Sequence, residues 1–284
     1  MDRLARGWAL TRQSWDILRG DASLALFPVL STVFACLAMV SIWAPALISR
    51  GVFDHRTVER NDPVIYAAGI ASAYAYASTF VALFFNVALA ACAVRSMRGE
   101  DTRVRDGLAA AAHRIGPILG WTLVATTFGL LLRAFENRVP LLGKIAAGIA
   151  GAAWGIATFF VVPVIAFEGT GPLRSLQHSA AVIKARWGEG ATGAATIGLV
   201  TVGFSLAIGT VAVFAVMFLL TGGQALLGYL VLAVAVLTMF AVAVVSTTLS
   251  QIFRVAVFQF ALHGQTPGGF DGSQLQAAFQ PRPA

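Results

Sequence analysis

The chain has 284 residues, 58% of them hydrophobic and only 12% charged, about half the share of roughly 25% typical of soluble domains. Its apolar residues stand in unbroken runs rather than in amphipathic stripes, which excludes an ordinary soluble globular domain. The formal net charge of +7 is spread over short segments between those runs instead of gathered on one face, so nucleic acid is not an expected partner.

The first twenty residues, MDRLARGWALTRQSWDILRG, predict a helix on a membrane surface. Leu4, Trp8, Trp15 and Leu18 share one face, and Arg3, Arg6, Arg12 and Arg19 supply positive charge around it. Trp is favoured at headgroup depth. Gly20 to Ser23 then turns the chain, with Asp21 or Ser23 placed to cap the next helix. Residues 1–23 are thus expected to form an interfacial segment and 24–263 the membrane domain. Residues 264–284, rich in Pro and Gly, are expected to form a mobile tail.

Six runs lack Asp, Glu and Lys: Leu24–Ile48, Val64–Val94, Ile115–Leu132, Ile145–Phe167, Ala191–Leu220 and Ala225–Ser250. Each meets or nearly meets the roughly 20 apolar residues needed to span a bilayer. No cleavage pattern of small residues follows the arginine-rich start, so the first run is expected to act as an uncleaved anchor. The second is too long for a single crossing at about 1.5 Å per residue. Its crossing is expected near Ala75–Val94, with Val64–Tyr74 beyond the hydrocarbon. The sixth continues through Gln251, Arg254 and Gln259 to His263, before Gly264.

Two connecting segments carry helices of their own. After the second run, Asp101 or Thr102 is placed as an N-cap. Val104, Leu108, Ala111 and Ile115 then recur at helical spacing, and Gly116-Pro117 breaks or bends the chain. After the fourth run, Pro172 stands at the first helical position; Leu173, Leu176, Ala180, Ile183 and Trp187 line one face, and Gly188 ends it. An offset of 68 aligns Glu100 with Glu168, Thr102 with Thr170, Leu108 with Leu176 and Ala112 with Ala180. That is the pattern of a duplicated span–surface helix–span unit, a device common in transporters.

Of the 20 Lys and Arg, 14 lie in the N-terminal segment, the second and fourth connections and the C-terminal segment, and 6 in the first and third connections. Such an excess marks the cytoplasmic face, so both termini are expected inside. Eighteen of the 20 are Arg, in keeping with a GC-rich bacterial genome. The expected location is therefore a bacterial cytoplasmic (inner) membrane.

An ionisable residue within a span marks a functional site by default, and these runs offer few. Arg254, one turn from Ser250 near the cytoplasmic end of the last helix, suits a lipid phosphate or a snorkelling role. Asn86 falls near the midplane by helix rise, where it would line a path or make an interhelical hydrogen bond. Together with Arg254, the cations Arg103, Arg105, Arg114, Arg174 and Lys184 form the candidate lipid- or partner-facing surface. Gly143, Ala147, Gly151 and Gly155 recur every fourth residue, a strip for close helix crossing within the chain or between copies.

No catalytic residue is expected. Gly203-Phe204-Ser205-Leu206 matches the nucleophile string of rhomboid-type proteases, but no span carries a His at matching depth. Asp106-Gly107 begins the metal-binding string of CDP-alcohol phosphotransferases, but Ala111 stands where that string has Arg. His113, His178 and His263 lack metal-ligand spacing, so no metal or cofactor is expected. Cys36 and Cys92 lie inside spans as small packing residues rather than as a disulfide.

Several short strings carry a family likeness. They are Arg6-Gly7-Trp8 with Ser14-Trp15, Phe84-Phe85-Asn86, Arg98-Gly99-Glu100-Asp101 and Ile118-Leu119-Gly120-Trp121. With them go FFVVPVIAFEGTGPLRSL from Phe159 to Leu176, Trp187-Gly188-Glu189 and Phe260–Gly264. To about residue 265 the chain resembles a family of uncharacterised prokaryotic multi-span membrane proteins, known only as a domain of unknown function. It is more distantly similar to the membrane domain attached to some glycerophosphodiester phosphodiesterases. That resemblance implies a helical membrane module without catalysis, because the soluble barrel and its metal-binding residues are absent from this sequence.

The expected fold is therefore all-α and polytopic, with six transmembrane helices. Short amphipathic interfacial helices are expected at the N-terminus and in cytoplasmic connections two and four. The expected role is a non-enzymatic lipid-organising or partner-docking module. Its partners would be anionic headgroups, a protein on the cytoplasmic face or a second copy of the chain. The alternative is a transporter or channel for a small uncharged or lipidic molecule.

Overall fold

Where water is excluded, backbone N–H and C=O groups must pair within the protein, which a spanning chain achieves as helices or a closed barrel. The computed structural model describes residues 2–49, 63–139, 142–186, 192–264, 267–268 and 270, and among them there is no strand. The helices are α1 (Asp2–Gly20), α2 (Leu26–Ser49, entered through a 3-10 turn at Ala22–Ala25), α3 (Pro63–Met97), α4 (Val104–His113) and α5 (Ile115–Arg138). They continue as α6 (Leu142–Ala157), α7 (Val161–Glu168), α8 (Pro172–Arg186), α9 (Thr192–Thr221) and α10 (Ala225–His263). Six segments among the described residues are long and apolar enough to cross a membrane: Ala22–Ile48, Tyr66–Met97, Ile115–Arg138, Gly143–Glu168, Thr201–Leu219 and Ala225–Leu262. Each overlaps one of the six apolar runs. Trp187, Gly188, Glu189 and the tail from residue 271 lie outside the described residues, as do the side chains of Leu4 and Trp8.

The chain forms two compact units. One comprises Met1–Ala25, Ala93–Asp101 and Arg186–Ala284. In it α9 and α10 pack as a hairpin, joined by a short turn in which Gly223 takes a φ of 76°. Two hydroxyls meet across the hairpin, Thr201 Oγ1 to Ser246 Oγ at 2.6 Å. α1 packs on both helices, with Ser14 and Leu18 buried and the Arg19 guanidinium 5.2 Å from the centre of the Trp15 ring. Of the expected apolar face of α1, Leu18 is thus buried and Trp15 half-buried. Gly264 (φ 65°) stops α10, its N–H donating to Phe260 O at 2.9 Å.

The other unit comprises Leu26–Cys92 and Thr102–Ala185. Here α5 and α6 pack together around Trp154 of α6, whose ring stacks on Trp121 (5.7 Å between centres) and on Phe128 (4.0 Å), both of α5. The small-residue strip of α6 is used along only part of its length. Gly143 is so close to Phe135 O and Val139 that an added Cβ would lie 3.1–3.2 Å from them. Ala147 is buried, and a Cβ on Gly151 would touch Leu132 of α5 at 3.7 Å. Gly155 faces open space. Cys92 is buried, Cys36 is exposed, and both are free thiols.

Two expectations are corrected here. The fourth run does not form one helix. α6 ends at Ala157, a turn occupies residues 158–160, and α7 restarts at Val161. Pro163 is the reason: it has no N–H to donate to Phe159 O, and its ring excludes that carbonyl from a continuous helix. In the first turn of α7 the missing donor is one the helix does not use. The N–H of Phe160, displaced from the α6 ladder, instead donates to Ser179 Oγ of α8 at 3.0 Å, in a buried position.

The second correction concerns the start of α4. α4 starts after Arg103, not after a capping Asp101 or Thr102, and Arg103 makes no side-chain cap. Its buried residues are Gly107 and Ala111, whereas Val104 and Leu108 are half-buried and Ile115 is exposed. On α8 the buried residues are Ser175, Ser179 and Val182. Leu176, Ala180 and Ile183 are half-buried, and Leu173 is 67% exposed. The inward positions of α8 are thus two serines and Val182, and the apolar stripe lies beside them on the half-buried and exposed side. The offset of 68 residues that aligns the two sequences also aligns this burial: α4 and α8 begin at matching positions, and Gly107 corresponds to Ser175 and Ala111 to Ser179.

Gly107 is the tightest of these contacts. A Cβ there would lie 2.7 Å from Ala88 O and from Cys92 Sγ, both on α3, and 2.8 Å from the Phe27 ring of α2. Replacement by Ala must therefore displace backbone, a cost of about 1–3 kcal/mol. Gly107→Ala is expected to lower the melting temperature of the detergent-solubilised protein. Gly148→Ala, at a mid-helix position where an added Cβ meets nothing within 4 Å, is expected to leave it unchanged or raise it. Equal melting temperatures for the two variants would refute this crossing.

Candidate functional site

The two short helices lie at connections between apolar segments, and the corner where α7 turns into α8 is built from polar groups. α7 ends at Gly169 (φ 62°) in the left-handed conformation, which favours glycine. Pro172 then starts α8. Ser175 in its first turn donates Oγ–H to Thr170 O (3.1 Å) and sits 2.9 Å from Thr170 Oγ1. Glu168, the last residue of α7, pairs with His178 of α8, with Oε1 2.9 Å from Nδ1. Both of these side chains are about one-third exposed.

Arg114 ties this corner to α4. It is the single residue between α4 and α5, with φ −108° and ψ 20°. Its Nη1 donates to Ala110 O at 3.2 Å and its Nη2 to Phe167 O at 3.5 Å, so one guanidinium caps the carbonyl ends of both α4 and α7. A cation at a helix C-terminus is stabilised by the macrodipole. Arg114 is thus half-buried and committed to backbone rather than presented outward.

The other described cations of this unit face outward. Arg103, Arg105, Arg174 and Lys184 are all exposed, and Arg105 makes a loose ion pair with Asp106 at 3.6 Å. An exposed pair of this kind contributes little to stability, typically about 0–1 kcal/mol. Their outward face on α8 also carries Leu173 and Ala181. The result is a mixed basic and apolar surface. In the other unit Arg254 is half-buried on α10, next to the buried Gln251. Asn86 is half-buried on α3, just before the fully buried Val87–Ala90, and its side chain makes no hydrogen bond among the described residues.

Among the described residues, no group of three or more His, Cys, Asp and Glu side chains gathers to hold a metal. Ser205 of the Gly203–Leu206 string lines an apolar groove on α9. Asp106-Gly107 belongs to a helix crossing, not to a ligand loop.

Periodicity did not reveal the roles of Ser175, Ser179, Thr170 and the Glu168–His178 pair. The available signal was Pro163 in the middle of an apolar run. A proline there breaks the helix upstream, which can part a backbone N–H from its ladder carbonyl, and a buried hydroxyl is a group able to accept from it.

No curated protein and no solved structure matches the chain. A family model does match, that of a family of unknown function (DUF6159), over residues 64–269. The matched segment runs from α3 to the end of α10, well over half of the sequence, and includes both short helices, the break at residues 158–160 and Arg114. The protein therefore belongs to this family of unknown function.

Proposed function

We propose that the protein is a non-enzymatic module of a bacterial cytoplasmic membrane that engages anionic lipid headgroups through α4 and α8. The observation that carries this is their outward surface, where Arg103, Arg105, Arg174 and Lys184 stand exposed beside an exposed Leu173. An interfacial helix needs this composition, with apolar groups for the acyl boundary and cations for phosphates. Each cation near an anionic leaflet contributes on the order of 1 kcal/mol, so four together give a bias well above thermal energy. The distribution of Lys and Arg supports a cytoplasmic side for this surface and for both termini. Alkaline phosphatase fused to the C-terminus is then expected to be inactive, and strong periplasmic activity would overturn the orientation.

The lipid reading is tested by hydrogen exchange on the full chain in nanodiscs of phosphatidylcholine, with and without phosphatidylglycerol. Exchange over residues 104–113 and 173–184 is expected to slow several-fold when the anionic lipid is present. The difference should vanish when Arg103, Arg105, Arg174 and Lys184 are replaced together by Gln. Arg114→Gln should raise exchange through α4 in both lipids, because that side chain caps helices. Exchange that is fast throughout and indifferent to lipid would reject the proposal.

One observation favours a second reading, a transporter or channel for a small uncharged or lipidic molecule. The break between α6 and α7 interrupts a segment long enough to span, and broken helices build binding sites in transporters. Asn86 is the intramembrane polar group available to such a site. Saturable solute flux into liposomes, abolished by Asn86→Leu, would favour transport over the lipid module; its absence keeps the first reading.

A further inference from the structure

The sequence past α10 reads as a mobile tail, yet its first described residues are packed. Pro267 is buried and Phe270 is 8% exposed. The N–H of Phe270 donates to Pro267 O at 3.1 Å, which closes a turn. Gly268, within that turn, lies so close to the last turn of α3 that an added Cβ would collide with Met97 O. Its φ is not in the left-handed region, so close approach rather than backbone conformation calls for glycine here. Met97 itself is 7% exposed. The family match continues past His263 to residue 269, so Pro267 and Gly268 fall within it.

Both helix ends are complete without this contact. α10 stops at Gly264, whose own N–H donates to Phe260 O at 2.9 Å. α3 is closed by Gly99 (φ 74°), with Gly99 N–H donating to Ser96 O at 2.9 Å and Glu100 N–H to Arg95 O at 3.0 Å. The Arg95–Glu100 ion pair, at 3.0 Å, spans the same turn. Four residues lead from Gly264 to Gly268 and reach about 14 Å at most, so the ends of α3 and α10 are neighbours within one unit. Withdrawing the segment would break none of these capping hydrogen bonds. Burial of Pro267 and Phe270 holds it in place, and ordering the chain from Gly264 to Phe270 opposes that burial with a cost of comparable size. A closed state held by a small margin follows, with Gly264 as the point from which the segment leaves the helix.

We propose that Pro267, Gly268 and Phe270 form a strap that opens and closes on the last turn of α3, covering Met97 in one state and exposing it in the other. The strap involves none of the four outward cations of α4 and α8. Failure of the headgroup reading would therefore appear in hydrogen exchange over those helices and leave the strap untouched.

The test is chymotrypsin cleavage of the full chain in phosphatidylcholine nanodiscs, well below its melting temperature. Cleavage after Phe270 requires the open state, so its rate follows the open fraction when opening and closing are fast. The wild-type protein is expected to be cut there slowly but measurably. Gly268→Ala, which obstructs closure, should speed that cut at least tenfold, with cleavage after Phe279 in the same sample as the reference rate. The melting temperature should stay close to that of the wild type, because both helix ends keep their own caps.

Oxidation of Met97 to its sulfoxide by hydrogen peroxide, followed by peptide mass spectrometry, gives a second readout. It should be at least fivefold faster in Gly268→Ala and in Phe270→Glu, relative to Met239, which is 39% exposed. Equal cleavage after Phe270 in wild type and Gly268→Ala would overturn the proposal, as would unchanged Met97 oxidation in Phe270→Glu. Wild-type cleavage that appears only as the whole chain melts would overturn it too, making the segment a fixed part of the fold.

Discussion

Backbone hydrogen bonding is the constraint on which this structure depends. A segment that crosses lipid has no water to meet an unpaired N–H or C=O, and each unsatisfied group costs several kcal/mol. Continuous helices answer that demand along most of the chain. At residues 158–160 the answer has to come from elsewhere, because Pro163 forbids a continuous ladder. Ser179 supplies an acceptor for the N–H of Phe160, and in doing so fixes which side of α8 faces inward. The position of the Glu168–His178 pair follows from the same docking, since both residues flank the corner it holds in place.

Close approach is the second theme. Lipid tails are as apolar as leucine, so helices in a bilayer associate through contact and hydrogen bonding more than through exclusion of water. α4 meets α3 almost backbone to backbone at Gly107, and α8 presents serines at the equivalent positions. The two helices thus bury small residues at positions related by the offset of 68. The α5–α6 pair combines both styles of contact, with a glycine at one end and a stack of three aromatic rings further along.

Charge is divided by task. Arg114 is spent on helix ends, where it offsets the carbonyls left over by α4 and α7. The other described cations of that unit remain at the surface, and Arg105 makes a weak ion pair with Asp106. Arg254 belongs to neither group, being half-buried on a spanning helix. The proposed lipid role uses this division, giving the outward cations an interfacial part.

The sequence by itself determined the number of spans, the helical class and the helix stops, because these depend on local quantities. Run length and apolarity set the six segments, Pro172 the start of α8, and Gly264 the end of α10. Chain order alone cannot say which face of a short helix is buried when its partner is a backbone group far along the chain. The stripe of Leu173, Leu176, Ala180 and Ile183 was legible from periodicity, yet Ser179 went inward because Phe160, nineteen residues away, needed an acceptor. Arg114 likewise looked like one more surface cation, and became a cap only because the carbonyl of Phe167 folds back to meet it. Apolar periodicity records which residues lipid or a core can accept. The tertiary structure decided which polar atoms had to be brought together, since an unpaired donor in an apolar surrounding costs more than an exposed leucine.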